Sequence, residues 1–332
     1  HNTSLWRSAQ PVDNIAQTSF WPMGSGWLCR HLWDHYLFTC DAEYLKTTAV
    51  PLLKGASLFY LEWLTEDADG HLLSPVGTSP ENAFRYADED QQQIDGSVSS
   101  GPTMDMAIIR DCLENTKDAL SVTGGDPDFS CRLEEALGRL LPYSVAEDGQ
   151  LKEWAHEHPG FDPQHRHLSH LYGAFPASQI TKSDTPELFE AVGRTLEVRG
   201  DESGGWSSAW KANLWARRRD GNRAYRMLTR VASPELTNPN MFNGHRTWQE
   251  RQGLFQIDGN MGGAAATIEM LVQSEWYPGR GLSETADTPP AATIELLPAL
   301  PDVWSKGELR GVRCRGGFEV SFAWSDSSIE WE

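Results

Sequence analysis

Eight amphipathic runs at helical spacing succeed one another along this chain with no strand pattern alternating between them, and that succession decides the fold class. From Trp21 to about Thr39 the apolar residues Leu28, Leu32, Trp33, Tyr36 and Leu37 recur at helical intervals. From Ala42 to Leu64 the residues Leu45, Leu52, Phe59 and Trp63 do the same. Further helices are predicted over Thr103–Val122, Ser130–Leu141, Pro186–Val198, Trp206–Arg218, Gly221–Val231 and Gly262–Val272, with stops such as Asp69-Gly70 and Asp220-Gly221 between them. A parallel α/β sheet needs strands between its helices, so the pattern points to an all-α toroid or solenoid. No fixed-period repeat is present, which favours a closed barrel over an open array.

After Tyr277 the pattern changes. Pro278, Gly279, Gly281, Pro289 and Pro290 form a linker-like stretch, and short strands are predicted at Thr293–Leu297 and Gly317–Trp324, the second from the alternation of Phe318, Val320 and Phe322 with Glu319 and Ser321. The expected organisation is a mainly α domain over 1–277 and a linker with a β-sandwich-like segment over 278–332. That segment looks cut short at Glu332, directly after Ile329 and Trp331. Two unequal domains suit a chain of 332 residues, above the size at which single cores usually stop growing.

A net charge of −19, from 47 acidic and 28 basic residues, would repel a phosphate backbone and an anionic lipid surface, so nucleic acid and membrane partners are not expected. The 14 tryptophans suit sugar recognition, since indole faces stack on sugar C–H faces while the ring N–H remains available to a hydroxyl; each one taken alone equally fills a core. The five cysteines are scattered and contain no C-x-x-C pair, so neither a zinc site nor a disulfide frame is encoded.

Three loops carry chemistry. Ser74-Pro75-Val76-Gly77-Thr78 leads into Ser79-Pro80-Glu81-Asn82, a proline-defined loop presenting Glu81 among small polar groups, as a fixed general acid requires; a turn carboxylate reads the same way. Glu153-Trp154 and His165-Arg166-His167-Leu168-Ser169-His170 gather the hydrogen-bonding groups, the fixed positive charge and the aromatic ring that sugar hydroxyls need. Arg166 between the imidazoles opposes a metal site, and each histidine could equally serve the loop's own backbone. Phe255-Gln256-Ile257-Asp258-Gly259-Asn260-Met261-Gly262-Gly263 places Asp258 just before a glycine-rich helix start that a ligand could approach closely, or forms an ordinary turn.

Trp21-Pro22-Met23-Gly24, Thr78-Ser79-Pro80-Glu81-Asn82, the segment from His165 to Gly173, Gly205-Trp206-Ser207-Ser208-Ala209-Trp210-Lys211, Phe255 to Asn260 and Leu296-Leu297-Pro298-Ala299-Leu300-Pro301, in that order, resemble the family 95 glycoside hydrolases. The resemblance implies an (α/α)6 barrel that hydrolyses terminal α-L-fucosyl links, especially α-1,2 links, with inversion and without a cofactor or metal; some members prefer α-L-galactosides. Carried over by motif, Glu81 is the general acid, and Asp258 acts with an amide side chain to activate water. Arg166 and His167 hold sugar hydroxyls, Trp21 forms a wall of the subsite, and Asn82, Trp154 and Trp210 complete the expected sugar contacts. Family habit implies an extracellular or periplasmic location and a fucosylated glycan as partner, and leaves the oligomeric state open.

The family's Asn-x-Asn pair belongs upstream of the segment that His1-Asn2-Thr3 matches, and eight helices are legible rather than twelve. The barrel is therefore expected to be incomplete at its N-terminus. The alternatives are a sugar-binding remnant of the same fold without turnover, or an α-L-galactosidase. A phosphorylase or lyase-like relative would need a basic phosphate-binding loop beside Glu81, where the sequence has none.

Overall fold

The computed structural model describes residues 15–88, 90–156, 162–245, 254–278 and 292–330. Among these, the framework is eight helices of eleven residues or more: α1 (Gly24–Thr39), α2 (Val50–Trp63), α3 (Thr103–Thr123), α4 (Pro127–Arg139), α5 (Pro186–Arg199), α6 (Gly205–Arg217), α7 (Gly221–Val231) and α8 (Ile257–Leu271). The protein is mainly α, as its periodicity predicts, with a few small antiparallel sheets. By contact, residues 1–36 and 41–195 form one compact unit, and residues 37–40 and 196–332 another.

In the first unit, α2 is preceded by a turn at Ala42–Tyr44, capped by Asp41 accepting from Tyr44 N at 2.9 Å, and by a π-helical turn at Leu45–Ala49. The irregular turn runs into Pro51, which lacks the N–H a regular helix would use there. Leu45, Leu53 and Tyr60, together with Ile108, Ile109, Leu113 and Leu120 of α3 and Leu133 of α4, are closed to water, and the helices that carry them pack against one another. Helix α3 stops at Gly124, in the left-handed conformation at φ 67°, and Asp126 caps α4 by accepting from Phe129 N at 3.0 Å. Between α2 and α3 run two hairpins the sequence did not announce, Thr65–Glu66 with Leu72–Leu73 and Phe84–Ala87 with Gln93–Gly96.

In the second unit, α6, α7 and α8 pack together. Helix α8 begins at Ile257, not at Gly262 as predicted, so Asp258 lies in its first turn rather than in front of it. Its glycines are used for packing, not left open to a ligand: a Cβ on Gly262 would stand 2.9 Å from Ala209 Cβ of α6. This close approach offsets the cost of about 1 kcal/mol that glycine brings to a helix interior.

The switch from helix to strand falls at Val272, earlier than the Pro/Gly-rich stretch suggested. Val272–Trp276 continues directly from α8 and pairs antiparallel with Ala292–Leu296. A three-stranded antiparallel sheet follows, with Lys306–Arg313 and Ser328–Glu330 flanking Glu319–Ser325. Phe322 and Trp324 of the central strand join Leu271, Val272 and Cys314 in a separate core. Phe318 was expected to open that alternation, but it lies before the strand and is 50 % exposed. All five cysteines are free thiols, and no helix among the described residues is long and apolar enough to cross a membrane.

Candidate active site

The loop from Ser74 to Ala83 is held at both ends and from beneath. Gly101 N donates to Ser74 O at 2.9 Å, Gly77 and Ser99 exchange backbone hydrogen bonds of 2.8 and 3.0 Å, and Thr78 Oγ1 donates to Phe20 O at 2.8 Å. That last bond ties the loop to the segment carrying Trp21. The side chains of Ser74, Thr78, Ser79 and Asn82 are buried, whereas Glu81 keeps 33 % of its side chain exposed. The backbone is thus fixed and one carboxyl tip reaches solvent. Asp105, in the first turn of α3, lies under this loop and accepts from Ser74 Oγ at 3.2 Å. Burial pushes its carboxyl well above the usual carboxylate range, overriding that hydrogen bond.

Glu81 meets two of its expected neighbours. Arg166 Nη2 donates to Glu81 Oε2, and His167 Nε2 lies 3.8 Å from the same oxygen. The segment bearing them is ordered by His165 N donating to Asp162 O at 3.0 Å, by His167 N donating to His165 Nδ1 at 3.2 Å, and by a 3₁₀ turn over Ser169–Leu171. Ser169 Oγ donates to Pro80 O and so joins this segment to the turn that carries Glu81. The pairing of residues far apart in sequence is a product of the fold.

Trp21 packs edge-on against Trp27 with centroids 6.0 Å apart, and Trp27 in turn against Tyr172 at 4.9 Å. Trp154 is 4 % exposed and packs edge-on to Phe84 at 4.9 Å. It also lines a cavity of about 360 Å³ with Arg110, Tyr143 and His71. Asn82 turns its amide inward to Glu153, with Nδ2 2.8 Å from Oε2. Glu153, read in the sequence only as one polar group of the loop with Trp154, is the residue to which both Ser79 and Asn82 donate.

Asp258 and Trp210 belong to the second unit. Asp258 accepts from its neighbour Gly259 N at 3.1 Å; loss of water raises its carboxyl above the ordinary range, and that N–H works against the rise. Asn243, wholly buried, fixes the chain around it: Gln256 N donates to Asn243 O at 2.9 Å, and Asn243 N to Asn260 Oδ1 at 2.9 Å. Trp210 is 3 % exposed and stacks on Trp206 at 4.8 Å. Lys211 is buried with Nζ donating to Gly200 O at 2.7 Å, and burial lowers its ammonium to about 8.

A buried, clamped turn presenting one carboxyl, with a guanidinium and an imidazole at its tip, suits proton transfer to a polar, hydroxyl-rich substrate. Residues 1–271 match the model of the glycosyl hydrolase family 95 catalytic domain, and residues 290–331 that of the glycoside hydrolase family 95 C-terminal domain. The chain is 38% identical over 341 aligned residues to an Arabidopsis thaliana protein named alpha-L-fucosidase 2, covering 98% of this chain and 37% of that protein. It is 28% identical to a probable alpha-fucosidase A of Aspergillus niger, covering 96% of this chain and 39% of the relative. An Aspergillus oryzae probable alpha-fucosidase A matches at 27% over 80% of this chain and 37% of its own length. The chain spans less than two fifths of the length of these relatives. With the catalytic-domain model matching residues 1–271 of 332, the chain belongs to family 95 of the glycoside hydrolases.

Proposed function

We propose that this chain carries the acid half of a hydrolase that releases terminal α-L-fucose from fucosylated glycans, with Glu81 protonating the glycosidic oxygen. The observation that carries the reading is the Glu81 carboxyl itself, solvent-reaching between the buried side chains of Ser79 and Asn82 and met by Arg166 and His167. Family membership and the fucosidase names of the relatives agree with it. When a sugar binds, Arg166 turns from Glu81 to a sugar hydroxyl, which leaves Glu81 free to bring its proton to the leaving oxygen. His167 takes a second hydroxyl, Trp21 forms a wall, and the buried ring of Trp154 stiffens the surface behind the sugar. Asp258 serves the water side of the reaction with an amide partner. Inversion at the anomeric carbon and a preference for α-1,2 links are part of this reading, and inversion requires room for a water between sugar and base.

We take the helices of residues 1–277 as part of an (α/α)6 barrel, with residues 278–332 as the β segment that follows it, in a protein working outside the cytoplasm. A substrate panel tests the choice of sugar: a 2′-fucosylated oligosaccharide is hydrolysed faster than the matching α-L-galactoside. The reverse order would make the protein an α-L-galactosidase.

A further inference from the structure

We propose that Glu153 is a positioning residue for the proton donor, its carboxylate acting as a clamp that fixes both ends of the turn bearing Glu81. The inference rests on the functional reading above and adds to it a residue that does not touch the substrate. Ser79 Oγ donates to Glu153 Oε1 at 2.6 Å, and Asn82 Nδ2 donates to Oε2 at 2.8 Å. These donors flank Pro80 and Glu81, so the two oxygens of one carboxylate hold the turn on either side of the acid. A carboxylate is suited to this because each oxygen accepts independently, and charge-assisted bonds are roughly twice as strong as neutral ones. His170 Nδ1 approaches Oε1 at 3.6 Å, and the Glu153 side chain is 11 % exposed, so water competes poorly for these oxygens.

The clamp is anchored to a rigid element. Glu153 O accepts from Thr103 N at 3.1 Å, and Thr103 Oγ1 donates to Lys152 O at 2.6 Å, at the first residue of α3. Helix α3 therefore sets the position of Glu153, Glu153 sets the turn, and the turn sets Glu81. A misplacement of about 1 Å at a reacting group costs about 10²-fold in rate.

The test separates this role from general support of the fold by leaving-group dependence. Wild type, Glu81→Gln, Glu153→Gln and Ser79→Ala are assayed on a 2′-fucosylated oligosaccharide, whose leaving sugar needs a proton, and on a nitrophenyl α-L-fucoside, whose leaving group needs little help. For Glu153→Gln the expected result is a loss of about 10²-fold in kcat on the oligosaccharide, a KM within threefold of wild type, and a much smaller loss on the aryl fucoside, the same pattern as Glu81→Gln. Ser79→Ala shows a milder form, and its loss does not add to that of Glu153→Gln. Equal losses on both substrates, or a change confined to KM, overturn the clamp.

If wild type hydrolyses neither fucoside, the functional reading fails and the clamp is judged on hydrogen exchange alone. Faster exchange at the Asn82 and Ala83 amides in Glu153→Gln, with the amides of α3 unchanged, then supports it. Unchanged exchange there overturns it.

Discussion

Tyr172 Oη donates to Asp111 Oδ2 at 2.9 Å, while the other oxygen of Asp111 accepts from Arg30 Nη1 at 2.8 Å. One buried carboxylate thus joins α1, α3 and the residue on which Trp27 packs, and through Trp27 it supports Trp21. Truncating one partner of a buried ion pair costs about 3 to 5 kcal/mol when the other charge is left without compensation. Arg30 keeps Asp34 at 3.2 Å, so Asp111→Ala is expected at the lower end of that range in urea unfolding. Tyr172→Phe, which removes a single hydrogen bond, is expected to lose about 1 to 3 kcal/mol. Equal losses from the two would contradict the network.

Asp105 gives the fold a pH dependence of known sign. Oδ1 is buried without a hydrogen-bond partner, and burial holds the carboxyl protonated well above the usual range. The folded state then keeps a proton that the unfolded chain releases near pH ~4, so this stabilisation is complete below that pH and is lost as pH rises through the folded value. Asp105→Asn preserves the neutral shape. It is expected to melt with wild type near pH ~4 and at progressively higher temperature than wild type as the pH is raised. Calorimetry over a pH series checks this, and a gap that stays constant with pH would refute it.

Two glycines of the second unit differ in what surrounds them. A Cβ on Gly221 would stand 2.6 Å from Leu300 O, a backbone atom, whereas one on Gly262 would stand 2.9 Å from the Ala209 methyl. Overpacking typically costs about 1 to 3 kcal/mol, and backbone yields less readily than side chain. Gly221→Ala is expected at the upper end of that range and Gly262→Ala at the lower, read from denaturant midpoints. The reverse order would show that α6 and α8 are the less yielding contact.

The helices were legible because their apolar residues recur at helical spacing, but their buried faces were not: Leu52 and Phe59, read as part of the apolar set, are exposed, as is Leu28, while Leu53 and Tyr60 beside them are buried. The start of α8 was hidden because Gly259, Gly262 and Gly263 read locally as loop, whereas in the fold they pack against Asn243, Ala209 and Val231. Lys306–Arg313 was hidden for another reason: Gly307 and Gly311 interrupt a charged segment whose pairing with Glu319–Ser325 supplies its order. In the site, Glu81, Arg166 and His167 were legible as chemistry, and their meeting was not, since spacing along the chain carries no distance across it. Glu153 was legible as a polar group of the loop with Trp154, but its hold on the turn of Glu81 was not, since that lies in what Ser79 and Asn82 do with their donors.

The central claim is that Glu81 delivers the proton to the departing sugar. The direct measurement is the release of L-fucose from a 2′-fucosylated oligosaccharide by wild type and Glu81→Gln, with the first-formed anomer read by NMR. The account predicts the inverted β-anomer from wild type and a loss of about 10² to 10⁴-fold in the variant. Undiminished release by Glu81→Gln, or binding of the oligosaccharide by a folded wild-type chain that never releases fucose, would contradict it.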